Sequence, residues 1–493
     1  MPKRYLSVFF ASLLFLRLAA AQDLPEHRLS RESIEQDLRF LASDELMGRF
    51  VTAEGGRLAA DYIETRLKEA GARALPSLQG YRQKVPLSEI PQAPSEGSLR
   101  LLETEFRAPE SLLQLLSPAL QGSFPTAVAE RLDDLPEKLE GKLVVLPFGD
   151  PDRPDSAFAG VRAGADKAEE VGSRGAVALV EVFIGPGFDG FAAFLGRSRV
   201  LPREEETTPP IVHLMASATE ELWTRLREAQ DLEAVLDIPS RLSQSVWADN
   251  VVAWVEGSDP ELRDQYVALG AHYDHVGADR NLPGASEEDF IYNGARDNGM
   301  GVTALLAAAR ALAEKPPRRS VLLIAFTAEE VGLLGSSYLA EHPPVELSKL
   351  VFLLNSDTGG YTDTDVVTVV GLERVTARPL IEKACREFGM EAIPNPAPEQ
   401  RLFNRSDNIP FARKGVPAPT FSPGFRAWTA ELVKHYHRPS DEVTEDFDFD
   451  YLLRFSQAFA HAIRLIGDEP SQTGWEEGQS FAEAWRELYG NKP

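Results

Sequence analysis

The spacing of apolar positions changes along the chain, and the change divides it. Leu58, Ala59, Tyr62, Ile63 and Leu67 recur at helical spacing within GGRLAADYIETRLKEAGA, which ends near Gly71. Extended segments are predicted around 80–88 and 98–107. Between about 110 and 245 short β-rich runs dominate, in LEGKLVVLPFG, RGAVALVEVF and PPIVHLMASATEELWTRL, with proline and glycine between them. From about 247 strands alternate with helices. NVVAWVEG, QYVALGAHYD, SVLLIAF, KLVFLLNSD and TDVVTVVG read as strands, and DNGMGVTALLAAARALAEK and VGLLGSSYLAEH as helices. Val302, Leu305, Leu306, Ala309 and Leu312 line one face of the Ala-rich helix. Continuous apolar strands between helices predict an α/β fold, a mostly parallel mixed sheet sandwiched by helices. Ligands of such sheets gather outside the carboxyl ends of the strands.

A chain of 493 residues is too long for one ordinary core. The pattern predicts a first part over 22–109, an inserted β-rich α/β domain over 110–245, a main α/β domain over 246–468 and a helical tail over 469–493. Residues 1–21 read as a secretory signal peptide. Lys3 and Arg4 precede an apolar run from Tyr5 to Leu16, and Ala19-Ala20-Ala21 offers a cleavage site. Export to the periplasm or the medium is therefore expected. The run is shorter than the roughly 20 residues that span a bilayer, so stable membrane insertion is not expected. A net charge of −25 argues against nucleic acid and anionic membranes as partners. Cys385 is the single cysteine, which excludes an intramolecular disulfide, and its helical setting predicts a buried packing residue.

The predicted strand ends carry an unusual set of side chains. VALGAHYDHVG delivers His272 and Asp274, LLIAFTAEE delivers Glu329 and Glu330, and VFLLNSDTGG delivers Asp357. NGARDNG places Asp297 before the Ala-rich helix, and HYHRPSDEV brings His437. Singly each has an ordinary explanation, such as a helix cap for Asp297 or a solvated loop acid. Together, five acids and two histidines at one crevice call for compensation, which two divalent cations supply. Imidazole with carboxylate oxygen suits zinc. A metal-activated water still needs a carboxylate to take its proton and hand it to the leaving amine, one acid more than the ligands.

LASDELMGR, GAHYDHVG, NGARDNGMGVTALLAAAR, FTAEEVGLLGS, NSDTGG, RSDNIPFARKGVPA and YHRPSDEV, in that order, resemble the secreted co-catalytic di-zinc aminopeptidases. Glutamate carboxypeptidases and glutaminyl cyclases belong to the same superfamily. Residues 110–245 loosely resemble the protease-associated domain inserted in several secreted peptidases. The resemblance implies the zinc exopeptidase fold and two Zn2+ ions, replaceable by Co2+ or Mn2+. It implies His272 and Asp357 on one ion, Glu330 and His437 on the other, and Asp297 bridging both. Glu329 becomes the general base and later the acid. Asp274 would orient His272, and Asp441 would orient His437. A cis peptide is implied at Asp297-Asn298. His275 and His435 match no ligand position and read as supporting or surface residues.

The chain departs from its relatives in places. Arg296 stands where many carry an acid, and Met300 where serine is common. In LFNRSDN, Phe403 occupies the place of a tyrosine that donates to the oxyanion, and Asn408 that of a histidine. Asn404 and Asp407 are left as candidate oxyanion or substrate contacts. The resemblance thus implies hydrolysis of N-terminal residues from a peptide substrate by a metal-bridging hydroxide. A carboxypeptidase or dipeptidase shares the same ligands. A glutaminyl cyclase, which keeps one metal, and a metal-free binding protein, which loses ligands, fit the intact set less well.

Overall fold

The computed structural model describes residues 24–150, 157–203, 211–357 and 359–490; the leader expected over 1–21 lies outside them. Two compact units form, Met1–Val85 with Trp247–Pro493, and Pro86–Val246. The strands Arg82–Ile90 (β1) and Gln244–Val255 (β2) carry the chain across the two boundaries.

The first unit is built on a mixed sheet. Its further strands are Tyr266–His272 (β3), Ser320–Phe326 (β4), Leu350–Asn355 (β5), Val366–Val370 (β6), Glu391–Pro394 (β7) and Thr420–Pro423 (β8), in the order β7-β6-β8-β5-β3-β4-β2-β1. β3 lies between β4 and β5 and is parallel to both, and β5 runs parallel to β8. β2 pairs antiparallel with β4, and β6 with β8. The expected α/β class with a mixed sheet is thus what the chain adopts. Every residue of β4 and of β5 is buried, as continuous Val/Leu/Ile runs covered on both faces require. Helices Arg31–Leu41, Met300–Glu314, Arg378–Glu387 and Phe449–Asp468 pack on one another and share one core with the strands. Cys385 is buried there as a free thiol, and burial pushes its pKa up. A last helix spans Ala482–Tyr489.

The second unit has its own eight-stranded sheet, with Leu143–Pro147, Ala178–Ile184 and Val212–Ala218 parallel at its centre. This unit begins earlier than the 110 expected from the sequence. Ser98–Leu101 pairs with Thr104–Arg107 and, on its other side, with Glu233–Ile238, so residues 98–107 belong to this sheet. Apolar alternation marks a strand but not its partner, which is why the periodicity misplaced the boundary. Inside the unit Lys167 Nζ donates to Glu181 Oε1 at 2.8 Å, and His213 Nε2 lies 3.0 Å from Glu181 Oε2. No helix among the described residues is long and apolar enough to cross a membrane.

Candidate metal centre

Four loops at the carboxyl ends of β3, β4 and β5 and from the His437 segment converge. β3 ends on His272, and register sets it beside Phe326, the last residue of β4. The chain then turns through Ala328, at φ 58°, and presents Glu329 and Glu330. A non-glycine residue in the left-handed region costs energy, and such residues cluster at functional turns. His437 is held the same way, at φ 51°.

The donor atoms fall into two sets that share one carboxylate. His272 Nε2 is 3.3 Å from Asp357 Oδ1 and 3.4 Å from Asp297 Oδ1. His437 Nε2 is 3.0 Å from Glu330 Oε2 and 3.3 Å from Asp297 Oδ2. One oxygen of Asp297 therefore faces each set. His437 Nε2 is nonetheless buried without an aligned hydrogen bond. Two ligands about 2.0–2.1 Å from one tetrahedral zinc stand roughly 3.3 Å apart. The spacings are those that ligands of a metal ion adopt, and the residues fit metal binding. Burial opposes charge on His437, but Asp297 and Glu330 hold it protonated, with its pKa raised to about 10.

Each ligand has a fixed support, and two supports differ from expectation. His272 Nδ1 donates to the backbone carbonyl of Asp274 at 3.2 Å, not to its carboxylate. The Asp274 carboxylate instead accepts from the Glu329 and Glu330 amides, at 3.1 and 3.3 Å. Asp441 does not reach His437 among the described bonds. Its carboxylate accepts from the Arg296 and Asp297 amides at 3.0 Å and pairs with the Arg296 guanidinium at 3.1 Å. Arg296, a departure in sequence, is the partner that neutralises Asp441. Asn298 Nδ2 donates to Ser356 O at 2.8 Å, which ties the Asp297 turn to the end of β5. The Asp297-Asn298 peptide is cis. Met300, the other departure, is a fully buried core residue.

Sequence reasoning passed over Tyr436 and Arg405 and read His275 as a supporting or surface residue. His275 is fully buried, donates from Nδ1 to Glu330 Oε1 at 2.6 Å and meets the His437 ring edge-on at 5.5 Å. Its neighbour His272 was the only signal for it. Tyr436 lines the crevice and stacks on His437 with centroids 3.9 Å apart. Burial and the carboxylates of Asp297 and Glu330 push its pKa up, so its hydroxyl stays a donor. Arg405 also lines the crevice. Asn404 is exposed and is not brought into the crevice lining. Phe403 turns away into Trp475 and Phe481, at 6.2 and 5.8 Å. His435 lies apart and bonds Ser440 Oγ at 3.0 Å. Asp407 is fully buried with neither carboxylate oxygen hydrogen-bonded, and burial pushes its pKa up to about 7.

Glu329 and Glu330 diverge in charge. Burial raises both, but Glu330 gains His275 and His437 as partners and ends at about 2. Glu329 is raised well above the usual carboxylate range by burial, with Asp357 and Glu330 adding to it against His272. Its Oε2 lies 4.0 Å from His272 Nε2, on the crevice wall.

Residues 250–463 match the model of peptidase family M28. Similarity extends to a "probable leucine aminopeptidase 2" of Aspergillus oryzae, 27% identical over 50% of this chain and 52% of that protein. Aminopeptidase YwaD of Bacillus subtilis is 30% identical over 43% of each chain. The chain thus spans about half the length of these curated relatives. The aminopeptidase from Aneurinibacillus sp. strain AM-1 shares the fold, with a TM-score of 0.52 and 19% identity over 89% of this chain and 94% of that one. The M28 segment contains the whole donor set, from His272 to His437.

Proposed function

We propose that the chain is an exported zinc-dependent aminopeptidase with two ions in its site. The observation that carries this reading is the Asp297 carboxylate, whose two oxygens face two separate donor sets. His272 and Asp357 would hold one ion, Glu330 and His437 the other, and Asp297 both. When bound, the pair supplies an acidified water and a polarised carbonyl. Glu329, which stands on the crevice wall outside both sets, takes the proton of the attacking water and delivers it to the leaving amine. Burial raises its pKa, which suits a group that takes up a proton and gives it back. Tyr436 is the reading's oxyanion donor, supported over Asn404 because it lines the crevice and carries a hydroxyl, whereas Phe403 has none and faces Phe481. Val370, Leu402, Phe425, Trp428, Leu432 and Val433 line the same crevice and suit the side chain of the N-terminal residue.

A carboxypeptidase or dipeptidase uses the same donors, so substrate choice decides. A panel of aminoacyl anilides, blocked peptides and free peptides, assayed with and without chelator, should show cleavage at free N-termini that chelator abolishes. Metal analysis should find about two zinc per chain. Chelator-insensitive cleavage, or no cleavage of any member, would contradict the proposal. On the same reading, residues 1–21 are the export signal and Pro86–Val246 is a protease-associated insert.

A further inference from the structure

The crevice contains one basic side chain among its described lining residues, Arg405, and the acids Asp297, Glu329, Glu330 and Asp357 line the same crevice. Two divalent ions offset those acids. The guanidinium has a different status. Among the described residues it takes part in no hydrogen bond, ion pair or ring contact, and its side chain stays exposed to the crevice mouth. The nearby acids are directed elsewhere, Glu330 to His275 and His437 and Asp357 to His272.

The backbone beneath Arg405 is fixed on both sides. Phe403 is anchored against Trp475 and Phe481 and carries the Arg374 guanidinium over its ring at 4.4 Å. Ser406 Oγ accepts from Asn355 Nδ2 at 2.7 Å, at the end of β5. Asn408 Nδ2 donates to Phe403 O at 3.1 Å and to Ala418 O at 3.2 Å. A planar guanidinium on a fixed base, with its N–H groups unbonded among the described residues, is suited to a carboxylate in two-pronged geometry.

Resting on the aminopeptidase reading, we propose that Arg405 is a specificity-determining residue that binds a substrate carboxylate beside the reacting amide. Such a carboxylate has two sources, the side chain of an N-terminal Glu or Asp, or the free C-terminus of a dipeptide. Each places an anion one residue's length from the scissile carbonyl. The apolar wall then holds the methylene part of the substrate and Arg405 its charged end.

The test uses full-length zinc-loaded protein, wild type and Arg405→Gln, and reads ratios of kcat/KM within each variant. The Glu-anilide to Gln-anilide ratio tests the side-chain source. The Leu-Leu to Leu-Leu-amide ratio tests the C-terminal source. A charged hydrogen bond of this type corresponds to about 10- to 100-fold, so one of the two ratios should fall by that factor in Arg405→Gln. Arg405→Lys should recover part of it, because charge is kept and the fork is lost. Zinc content and melting temperature report whether the variant is intact. If both ratios are the same in wild type and Arg405→Gln, the inference is overturned while the aminopeptidase reading stands. If the wild type cleaves no substrate in a chelator-sensitive way, the reading itself fails and the inference with it.

Discussion

Glu329 and Glu330 are chain neighbours whose amides are held by the same Asp274 carboxylate, yet their side chains carry opposite charge tendencies. Glu330, pressed between His275 and His437, is an anion suited to a metal. Glu329 has no such partner and is biased to hold a proton. Glu329→Gln should therefore keep the full metal complement and lower turnover by about 10²- to 10⁴-fold. Metal analysis beside a rate measurement checks both halves, and normal turnover would remove Glu329 from the proton path. Asp407 gives a pH prediction. Burial raises its pKa from 3.8 to about 7, so the folded chain keeps a proton that the unfolded chain releases between those values. The stability of metal-free protein should accordingly fall as pH rises from about 4 to 7. Asp407→Asn should flatten that part of the slope, as urea unfolding at pH 5 and pH 7 would register; an unchanged slope would contradict it.

The site rests on how elements are tied together, and Arg49 is the main tie. Its guanidinium is buried and donates to Tyr273 O at 2.7 Å, Asn293 O at 2.5 Å, Gly294 O at 3.0 Å and also Leu41 O. It thereby joins the helix Arg31–Leu41 to the loop after β3 and to the turn that presents Asp297. Burial lowers its pKa to about 10, and Asp441, Asp297, Asp274 and Glu330 keep it charged. Arg49→Ala leaves several buried carbonyls without donors, each worth about 1–3 kcal/mol. A loss of about 3 kcal/mol or more in denaturant unfolding, with weakened zinc binding, is expected. A stability loss below about 1 kcal/mol would show the tie to be dispensable. LASDELMGR was readable as a motif in the sequence, but its purpose was not. An arginine in a polar loop reads as surface until the fold wraps four carbonyls around it.

At the scale of the whole molecule, the peptidase unit and the Pro86–Val246 unit have separate apolar cores. Among the described residues, only the first holds groups of metal-capable side chains, drawn from His272, His275, Asp297, Glu329, Glu330, Asp357 and His437. Zinc that binds the folded site stabilises it by mass action, by about 2.7 kcal/mol at a hundredfold excess over Kd. Zinc should therefore raise, and chelator lower, the melting temperature of wild-type protein. Asp297→Ala should erase that response, because one carboxylate serves both sets. A variant that still bound two ions and kept the shift would disprove the bridge.

Sequence alone determined the α/β class, because apolar period and strand-end chemistry are local. It also singled out His272, Asp297, Glu329, Glu330, Asp357 and His437, because these chemical types recur at strand ends in a known order. It left the start of the second unit wrong, since a strand of 98–107 carries no mark of which strand it will join. It assigned Asp274 and Asp441 to histidines, whereas folding turned both carboxylates onto backbone amides. It read His275 as a supporting or surface residue, and only the approach of two loops, which sets it 2.6 Å from Glu330, decided for a support. The division of Asp297 between two donor sets was likewise a tertiary decision. Distances of 3.3–3.4 Å to side chains 25 and 140 residues away are fixed by sheet register and by the Asp441 and Asn298 ties. Residue type is written in the chain, whereas direction in space depends on what the rest of the chain packs against it.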